Sequence, residues 1–216
     1  SLPGVHYLRA IADVQAIRER FRPGANMVVI GGGYIGLEVA AVAAQHDLRV
    51  TVVEMADRVM GRVVARPVSA YFESLHTRNG VVLLLDTGLA HFEGDDCVRE
   101  VVLSDGRRLN ADVVVVGVGI LPNTQLAENA GIDCDNGIVV DEYCQTSDAN
   151  VLAAGDCTNH PNSLLNRRVR LESVHNALEQ AKTAAASICG EPRAYAQIPW
   201  FWSDQGAVKL QMAGDS

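Results

Sequence analysis

Three glycines stand at the spacing of a phosphate-binding turn. Gly31, Gly33 and Gly36 fit the pattern GxGxxG, and the run 27–30 before them is short and entirely apolar. In such a turn the first glycine allows the tight bend, the second lets the backbone approach a pyrophosphate, and the third lets the next helix pack closely. Free N–H groups and the helix dipole then hold the phosphate charge. The pattern predicts a dinucleotide site.

An acidic residue follows where such a site needs one. Glu54 ends the next apolar run, about 20 residues after the turn, where a carboxylate accepts bonds from the adenine ribose and repels a 2′-phosphate. This favours NAD over NADP, although Arg58 and Arg62 soon after could soften the preference. The plainer alternatives are glycines that only shape a turn and a Glu54 that is an ordinary surface acid.

The surrounding pattern supplies the elements that would position these residues. Apolar runs, helical periodicity and turn residues predict an α/β fold with a parallel sheet and a β-meander. The motif lies inside a βαβ unit, which strengthens it. The predicted helices cover 12–21, 34–46, 68–79, 124–130 and 171–189; the predicted strands cover 27–30, 48–54, 81–85, 113–116, 138–140 and 151–154, with the meander in 89–109.

Composition excludes several classes of function. The 216 residues include 18 Lys+Arg against 26 Asp+Glu, a net charge of −8, so a nucleic-acid-binding role is not expected. No apolar run approaches the ~20 residues of a membrane-spanning helix. The five cysteines show no CxxC spacing, which argues against a metal site and for the reduced thiols of a cytoplasmic protein.

Five motifs follow one another along the chain, at 31–38, 117–123, 146–157, 170–177 and 199–205. The first three resemble the flavin-dependent pyridine nucleotide oxidoreductases, in which such segments form the NADH motif, close the NAD domain and bind flavin. The last two are similar to the oxygenase-coupled ferredoxin reductases, the putidaredoxin and rubredoxin reductase group.

The resemblance implies which residues bind NADH. The three glycines would hold the pyrophosphate, Glu38 would lie near the nicotinamide carboxamide, and Ile35 would lie beside the nicotinamide. Glu38 alternatively faces solvent from its helix. The implied nucleotide-binding set is Gly31, Gly33, Tyr34, Ile35, Gly36, Glu38, Glu54, Arg62, Val118 and Gly119.

The resemblance also implies three flavin-binding residues. Asp156 would accept bonds from the ribityl chain or the adjoining phosphate region of FAD, Val174 would meet the isoalloxazine edge through its backbone, and Trp202 would cover the ring. Asp156 is alternatively a turn residue, and Trp202 a packing aromatic. No catalytic acid or base is assigned, because hydride transfer to flavin is carried by the cofactors.

The implied activity is that of an NADH-dependent ferredoxin reductase. It would pass electrons from NADH through FAD to an iron–sulfur ferredoxin serving a P450 or other oxygenase, as a cytoplasmic monomer. The basic residues Arg167, Arg168 and Arg170 either help dock an acidic ferredoxin or form a solvated face. The alternatives are an NADH oxidase or a disulfide reductase of the same family, or a non-catalytic NAD-binding module.

The resemblance divides the chain into three segments. An NAD(H)-binding domain is expected over 1–121, the second segment of a split FAD-binding domain over 122–190, and the start of a C-terminal interface domain over 191–216. No flavin GxGxxG motif precedes residue 27. We therefore expect a fragment that binds FAD poorly and is inactive alone.

Overall fold

The computed structural model describes residues 2–214. Residue 1 of the predicted NAD(H)-binding domain and residues 215 and 216 of the predicted interface segment lie outside that range. The chain forms two compact units. Residues 2–119 and 203–210 make the first, and residues 120–202 and 211–214 make the second. Strands β12 (Trp200–Gln205) and β13 (Val208–Ala213) pair with each other and contribute residues to both units.

A five-stranded sheet forms the centre of the first unit. Its strand order is β1-β8-β2-β3-β4, and every neighbouring pair is parallel. Strands β5, β6 and β7 form a separate antiparallel sheet. In chain order the elements are β1 (Val5–Tyr7), α1 (Ile11–Arg18), β2 (Asn26–Ile30), α2 (Tyr34–Gln45), β3 (Arg49–Val53), α3 (Arg66–Arg78), β4 (Val82–Leu84), β5 (Leu89–Glu93), β6 (Glu100–Leu103), β7 (Arg108–Asn110) and β8 (Val113–Val116).

The central strands are apolar throughout because both faces of the sheet are covered. Val28 and Ile30 belong to a buried cluster with Val101 and Leu103 of the meander. Val29 lies on the opposite face, 3.3 Å from where a Cβ on Gly36 of α2 would stand. Each fully buried valine contributes roughly 1.5–3 kcal/mol. The predicted parallel sheet with a β-meander is confirmed.

The strand order reverses beside β2. The chain runs from β2 to β3 and β4 on one side, then returns after the meander to β8 on the other side. Ligands of such open sheets bind where the order reverses, beyond the carboxyl ends of the strands. The turns after β2 and β8 begin at Gly31 and Gly117, so this edge carries the glycine motif.

The second unit has a small sheet and a long helix. The sheet order is β11-β10-β9, with β10 parallel to β9 and antiparallel to β11. Its elements are α4 (Gln125–Asn129), β9 (Ile138–Val139), β10 (Thr158–Asn162), β11 (Arg167–Val169) and α5 (Val174–Ile188).

One predicted strand of the second unit is wrong. Residues 151–154 hold only an isolated bridge between Gln145 and Leu152, and the next strand, β10, begins at Thr158. The apolar run 151–154 lies before the Gly155 turn, and a buried polar strand follows that turn. The prediction followed the apolar run, whereas the actual strand lies on the other side of the Gly155 turn and is polar.

Candidate functional site

The turn after β2 is shaped by contacts that only glycine permits. Gly31 has a φ of +104°, and a Cβ there would lie 2.3 Å from the carbonyl oxygen of Gly117. A Cβ on Gly36 would lie 2.0 Å from the carbonyl oxygen of Gly31. Real Cβ atoms do not approach so closely, so both positions require glycine for packing.

Gly33 differs from Gly31 and Gly36 in the space around its Cα. A Cβ on Gly33 would have no heavy atom within 4 Å, so the space beside it is open. Gly33 is the N-cap of α2, and its carbonyl accepts the first helical bond from Leu37 at 3.0 Å. The N–H groups at a helix N-terminus attract anions. The open space at Gly33 therefore fits a phosphate group.

Glu54 is tied to the glycine turn. Its Oε2 accepts a 2.6 Å bond from the N–H of Gly32, and its Oε1 accepts a 2.8 Å bond from the N–H of Ala56. Each carboxylate oxygen accepts more than one hydrogen bond. Glu54 therefore braces the turn, a role that sequence spacing does not reveal, while keeping acceptor capacity for a ribose.

The two arginines after Glu54 differ in their hydrogen bonds. Arg58 donates to the carbonyls of Val64 at 2.7 Å and Gly61 at 2.6 Å, and to Ser69 Oγ at 2.9 Å. Arg62 is exposed, with no ion pair or hydrogen bond to any residue of 2–214. Of the two, Arg62 is the cation available to a ligand.

Arg62 lies beside the second glycine turn. Its Nη2 is 3.8 Å from where a Cβ on Gly119 would stand, and Gly119 has a φ of +118°. Val118 in the same turn is 62% exposed. The structure therefore brings Arg62 and Gly119 together at the edge that carries the glycine motif.

Tyr34 and Ile35 begin helix α2. The phenol of Tyr34 is half-buried and donates to the carbonyl of Val63 at 3.5 Å. Burial raises the pKa of Tyr34 to about 12. Ile35, one position on, is 44% exposed and available for contact.

Glu38 is held by two residues, Ser203 and Asp204, that had no predicted role. Its Oε1 accepts a 2.6 Å bond from Ser203 Oγ and a 3.2 Å bond from the N–H of Asp204. Both donors belong to β12, within the first unit. Glu38 is thus a fixed carboxylate rather than a loose surface acid.

A cavity of about 460 Å³ lies in the second unit. Asp156 and Val174, two of the predicted flavin residues, both line it, and Val174 is 56% exposed at the start of α5. Trp202 is not among its lining residues in the described chain, whereas Phe201 is. The full lining is Asp156, Glu172, Ser173, Val174, Ala177, Leu178 and Phe201.

Buried polar side chains hold this cavity in place. Gln180 Oε1 accepts 2.7 Å and 2.8 Å bonds from the Gly155 N–H and the Thr158 hydroxyl, which fixes the turn carrying Asp156. Ser173 caps α5 by accepting from the N–H of Asn176 at 3.1 Å. A carboxylate and a helix N-terminus around an open cavity fit the hydroxyl, carbonyl and phosphate groups of a flavin nucleotide.

The basic run is used mostly inside the second unit. Arg168 donates to the carbonyl of Val140 at 2.6 Å and to Asn159 Oδ1 at 3.1 Å. Arg170 has an 11% exposed side chain and pairs with Glu172 at 2.7 Å. These two arginines therefore support the fold, and electrostatic docking through them stays a prediction.

The described residues show neither a membrane-crossing helix nor a metal cluster. No helix in residues 2–214 is long and apolar enough to cross a bilayer. Within the same range, no three His, Cys, Asp or Glu side chains gather as metal ligands. All five cysteines are free thiols.

The parallel sheet, the glycine turn where its strand order reverses and the acid ending the next strand define the dinucleotide-binding class of α/β proteins. The signature described as pyridine nucleotide-disulphide oxidoreductase matches residues 1–181. The chain belongs to this family.

Individual relatives are similar over nearly the whole chain. Putidaredoxin reductase of Pseudomonas putida is 47% identical over 211 residues, covering 96% of this chain and 50% of the relative. Rhodocoxin reductase of Rhodococcus erythropolis is 46% identical over 215 residues, covering 99% of this chain and 50% of the relative. The chain spans about half the length of these relatives.

A solved structure has the same fold. In the covalent putidaredoxin reductase–putidaredoxin complex, one chain matches with a TM-score of 0.96 and 46% identity. The match covers 99% of this chain and 52% of that chain. At this similarity the predicted fold class is confirmed.

Proposed function

We propose that this chain is part of an NADH-dependent ferredoxin reductase, a flavoprotein that delivers electrons to an iron–sulfur ferredoxin of a P450 or other oxygenase. The observation that carries the proposal is that one chain holds both the open glycine turn at Gly33 and a cavity lined by Asp156 and Val174. The similarity to putidaredoxin reductase and rhodocoxin reductase supports the choice of ferredoxin as acceptor.

The first unit would bind NADH. The N-terminus of α2 beside Gly33 would hold the pyrophosphate, and Glu54 would accept from the adenine ribose. Ile35 and Glu38 would orient the nicotinamide. The complete proposed set is Gly31, Gly33, Tyr34, Ile35, Gly36, Glu38, Glu54, Arg62, Val118 and Gly119.

The second unit would supply one part of the FAD site of the complete protein. Bound FAD supplies the chemistry that the protein lacks, because it accepts an electron pair and releases electrons singly. Asp156 would accept from the ribityl chain or phosphate region, and Val174 would contact the ring edge through its backbone. Trp202 would exclude water from the ring. No protein acid or base is needed for the hydride step.

The segment boundaries, location and assembly state belong to the same proposal. We assign 1–121 to NAD(H) binding, 122–190 to the second FAD segment and 191–216 to the start of an interface domain. The division between the two units near residue 120 supports the first boundary. The free cysteines support a cytoplasmic location, and a monomer is expected from the resemblance alone.

The test supplies the complete flavin-loaded protein, of which this chain is proposed to be part, with NADH and a bacterial iron–sulfur ferredoxin. We expect NADH oxidation to be matched by ferredoxin reduction, with NADH preferred over NADPH. Electron flow only to oxygen would identify an NADH oxidase, and flow to a disulfide a disulfide reductase. NADH binding without turnover in flavin-loaded protein would leave a binding module. Each of these three outcomes contradicts the proposal.

A further inference from the structure

Three buried polar side chains of the first unit form a continuous line of hydrogen bonds. His76, Gln205 and Ser203, here called the buried polar chain, are 1%, 1% and 0% exposed. His76 Nε2 lies 2.8 Å from Gln205 Oε1, and Gln205 Nε2 lies 3.2 Å from Ser203 Oγ. Ser203 Oγ then donates to Glu38 Oε1 at 2.6 Å.

The direction of every bond in this chain is determined. Gln205 offers His76 only its carbonyl oxygen, so His76 must carry its proton on Nε2. The His76 Nδ1 atom is buried without a partner in residues 2–214, which suits a bare lone pair and disfavours a second N–H. Burial accordingly lowers the pKa of His76. Ser203 accepts from Gln205, so its own proton points to Glu38.

The buried polar chain leads to the Glu38 carboxylate, whose two oxygens have different surroundings. Oε1 of Glu38 is occupied by Ser203 Oγ and by the N–H of Asp204 at 3.2 Å. Oε2 has no hydrogen-bond partner among residues 2–214. One oxygen is therefore fixed by the protein, and the other is available to a donor on a ligand.

We propose that His76, Gln205 and Ser203 are positioning residues for Glu38, and that they set the direction in which its free oxygen meets the carboxamide of nicotinamide. The inference rests on the proposed NADH site. An amide NH₂ is a donor that matches an unoccupied carboxylate oxygen. The buried polar chain acts only through Glu38. It therefore affects binding of the nicotinamide end of NADH and leaves the phosphate site at Gly33 unchanged.

Two ligands separate positioning from general stability. NADH carries the nicotinamide, whereas ADP-ribose shares its pyrophosphate and adenosine and lacks the nicotinamide. The experiment measures binding of both to the 216-residue chain by calorimetry. For Ser203→Ala we expect affinity for NADH to fall about tenfold, the usual range for a lost bond to a charged group. Affinity for ADP-ribose stays unchanged.

Two further variants sharpen the comparison. Gln205→Glu keeps the size of the side chain but removes the N–H donor to Ser203. It therefore also lowers the affinity for NADH and leaves the affinity for ADP-ribose unchanged. Thr87→Val removes another buried hydroxyl of the same unit, one that donates to the Leu85 carbonyl at 2.8 Å, and changes neither affinity. Unchanged ADP-ribose binding also reports that each variant is folded.

A double variant tests the route through Glu38. Glu38→Ala alone must weaken NADH, and adding Ser203→Ala must then have no further effect. Equal losses for both ligands, no loss for NADH, or additive losses in the double variant would overturn the positioning role. Failure of the unaltered chain to bind ADP-ribose is a different result, because it contradicts the proposed nucleotide site itself.

Discussion

The two units hold their sites by different means. In the first unit the glycine turn is made of backbone, and Gly31 and Gly36 approach other backbone atoms too closely for any side chain. In the second unit the turn at Gly155 is held by the side chain of Gln180, which also bonds Thr158. Substitutions at the backbone site are therefore restricted by the space available. Substitutions at the side-chain site are restricted by the need to keep every buried donor and acceptor paired.

The largest effect should come from adding one carbon atom to the backbone site. Gly36→Ala would place a Cβ 2.0 Å from the carbonyl oxygen of Gly31. Backbone on both sides prevents relief, so we expect a loss of about 4 kcal/mol in the free energy of unfolding. Urea denaturation followed by circular dichroism measures this.

Gly33→Ala is the matched control. Its Cβ meets no atom within 4 Å, so stability should change by less than about 1 kcal/mol. NADH affinity should nevertheless fall, because the new methyl group occupies the space proposed for phosphate. Equal stability of the two alanine variants would show that the close approach at Gly36 does not limit the fold.

A smaller loss is expected from the side-chain site. Gln180→Leu leaves the Gly155 N–H without its buried acceptor, whereas the Thr158 hydroxyl can still donate to the Gly155 carbonyl at 2.8 Å. One unsatisfied buried donor of this kind destabilises the fold by about 2 kcal/mol. Thr183→Val, a buried position on the same helix, should cost less than about 1 kcal/mol in the same urea experiment. Similar losses for both would contradict the role of Gln180.

An effect of similar size depends on pH. Burial, followed by the charge of Arg168, lowers the pKa of His160 from 6.5 to about 4. The unfolded chain therefore binds a proton below pH 6.5 that the folded chain refuses. The stability contribution is complete above pH 6.5 and declines toward pH 4, with about 2 kcal/mol lost by about pH 5.

His160→Phe should remove this part of the pH dependence. The ring of His160 meets Tyr195 edge-on at 5.1 Å, and a phenyl ring can keep that contact. Neither ring nitrogen has a hydrogen-bond partner within residues 2–214, so none is lost. Urea unfolding between pH 7 and pH 5 should give a shallower slope for the variant. An identical slope would mean that other groups carry the dependence.

The backbone site could be predicted from sequence, and the side-chain site only in part. Glycine spacing after an apolar run located Gly31, Gly33 and Gly36, because the requirement for glycine is local. The apolar strands were located for the same reason: 113–116 was predicted with the bounds that β8 has.

The rest depended on distant partners. Strand β10 is polar yet buried, with Thr158 and His160 at most 1% exposed, so hydropathy could not identify it. Ser203 and Gln205 gain their meaning from Glu38 and His76, which lie more than 100 positions away. No periodicity records such a pairing.

Glu54 has a consequence for changing coenzyme preference. Replacing the acid at this position is the direct way to admit the extra phosphate of NADPH. Here the same carboxylate also accepts from the N–H groups of Gly32 and Ala56. A basic replacement would release both donors and an amide would keep only one of them, so either change would loosen the turn on which both coenzymes depend. Selectivity and affinity are therefore coupled at Glu54, and a redesign must supply a second acceptor for that turn.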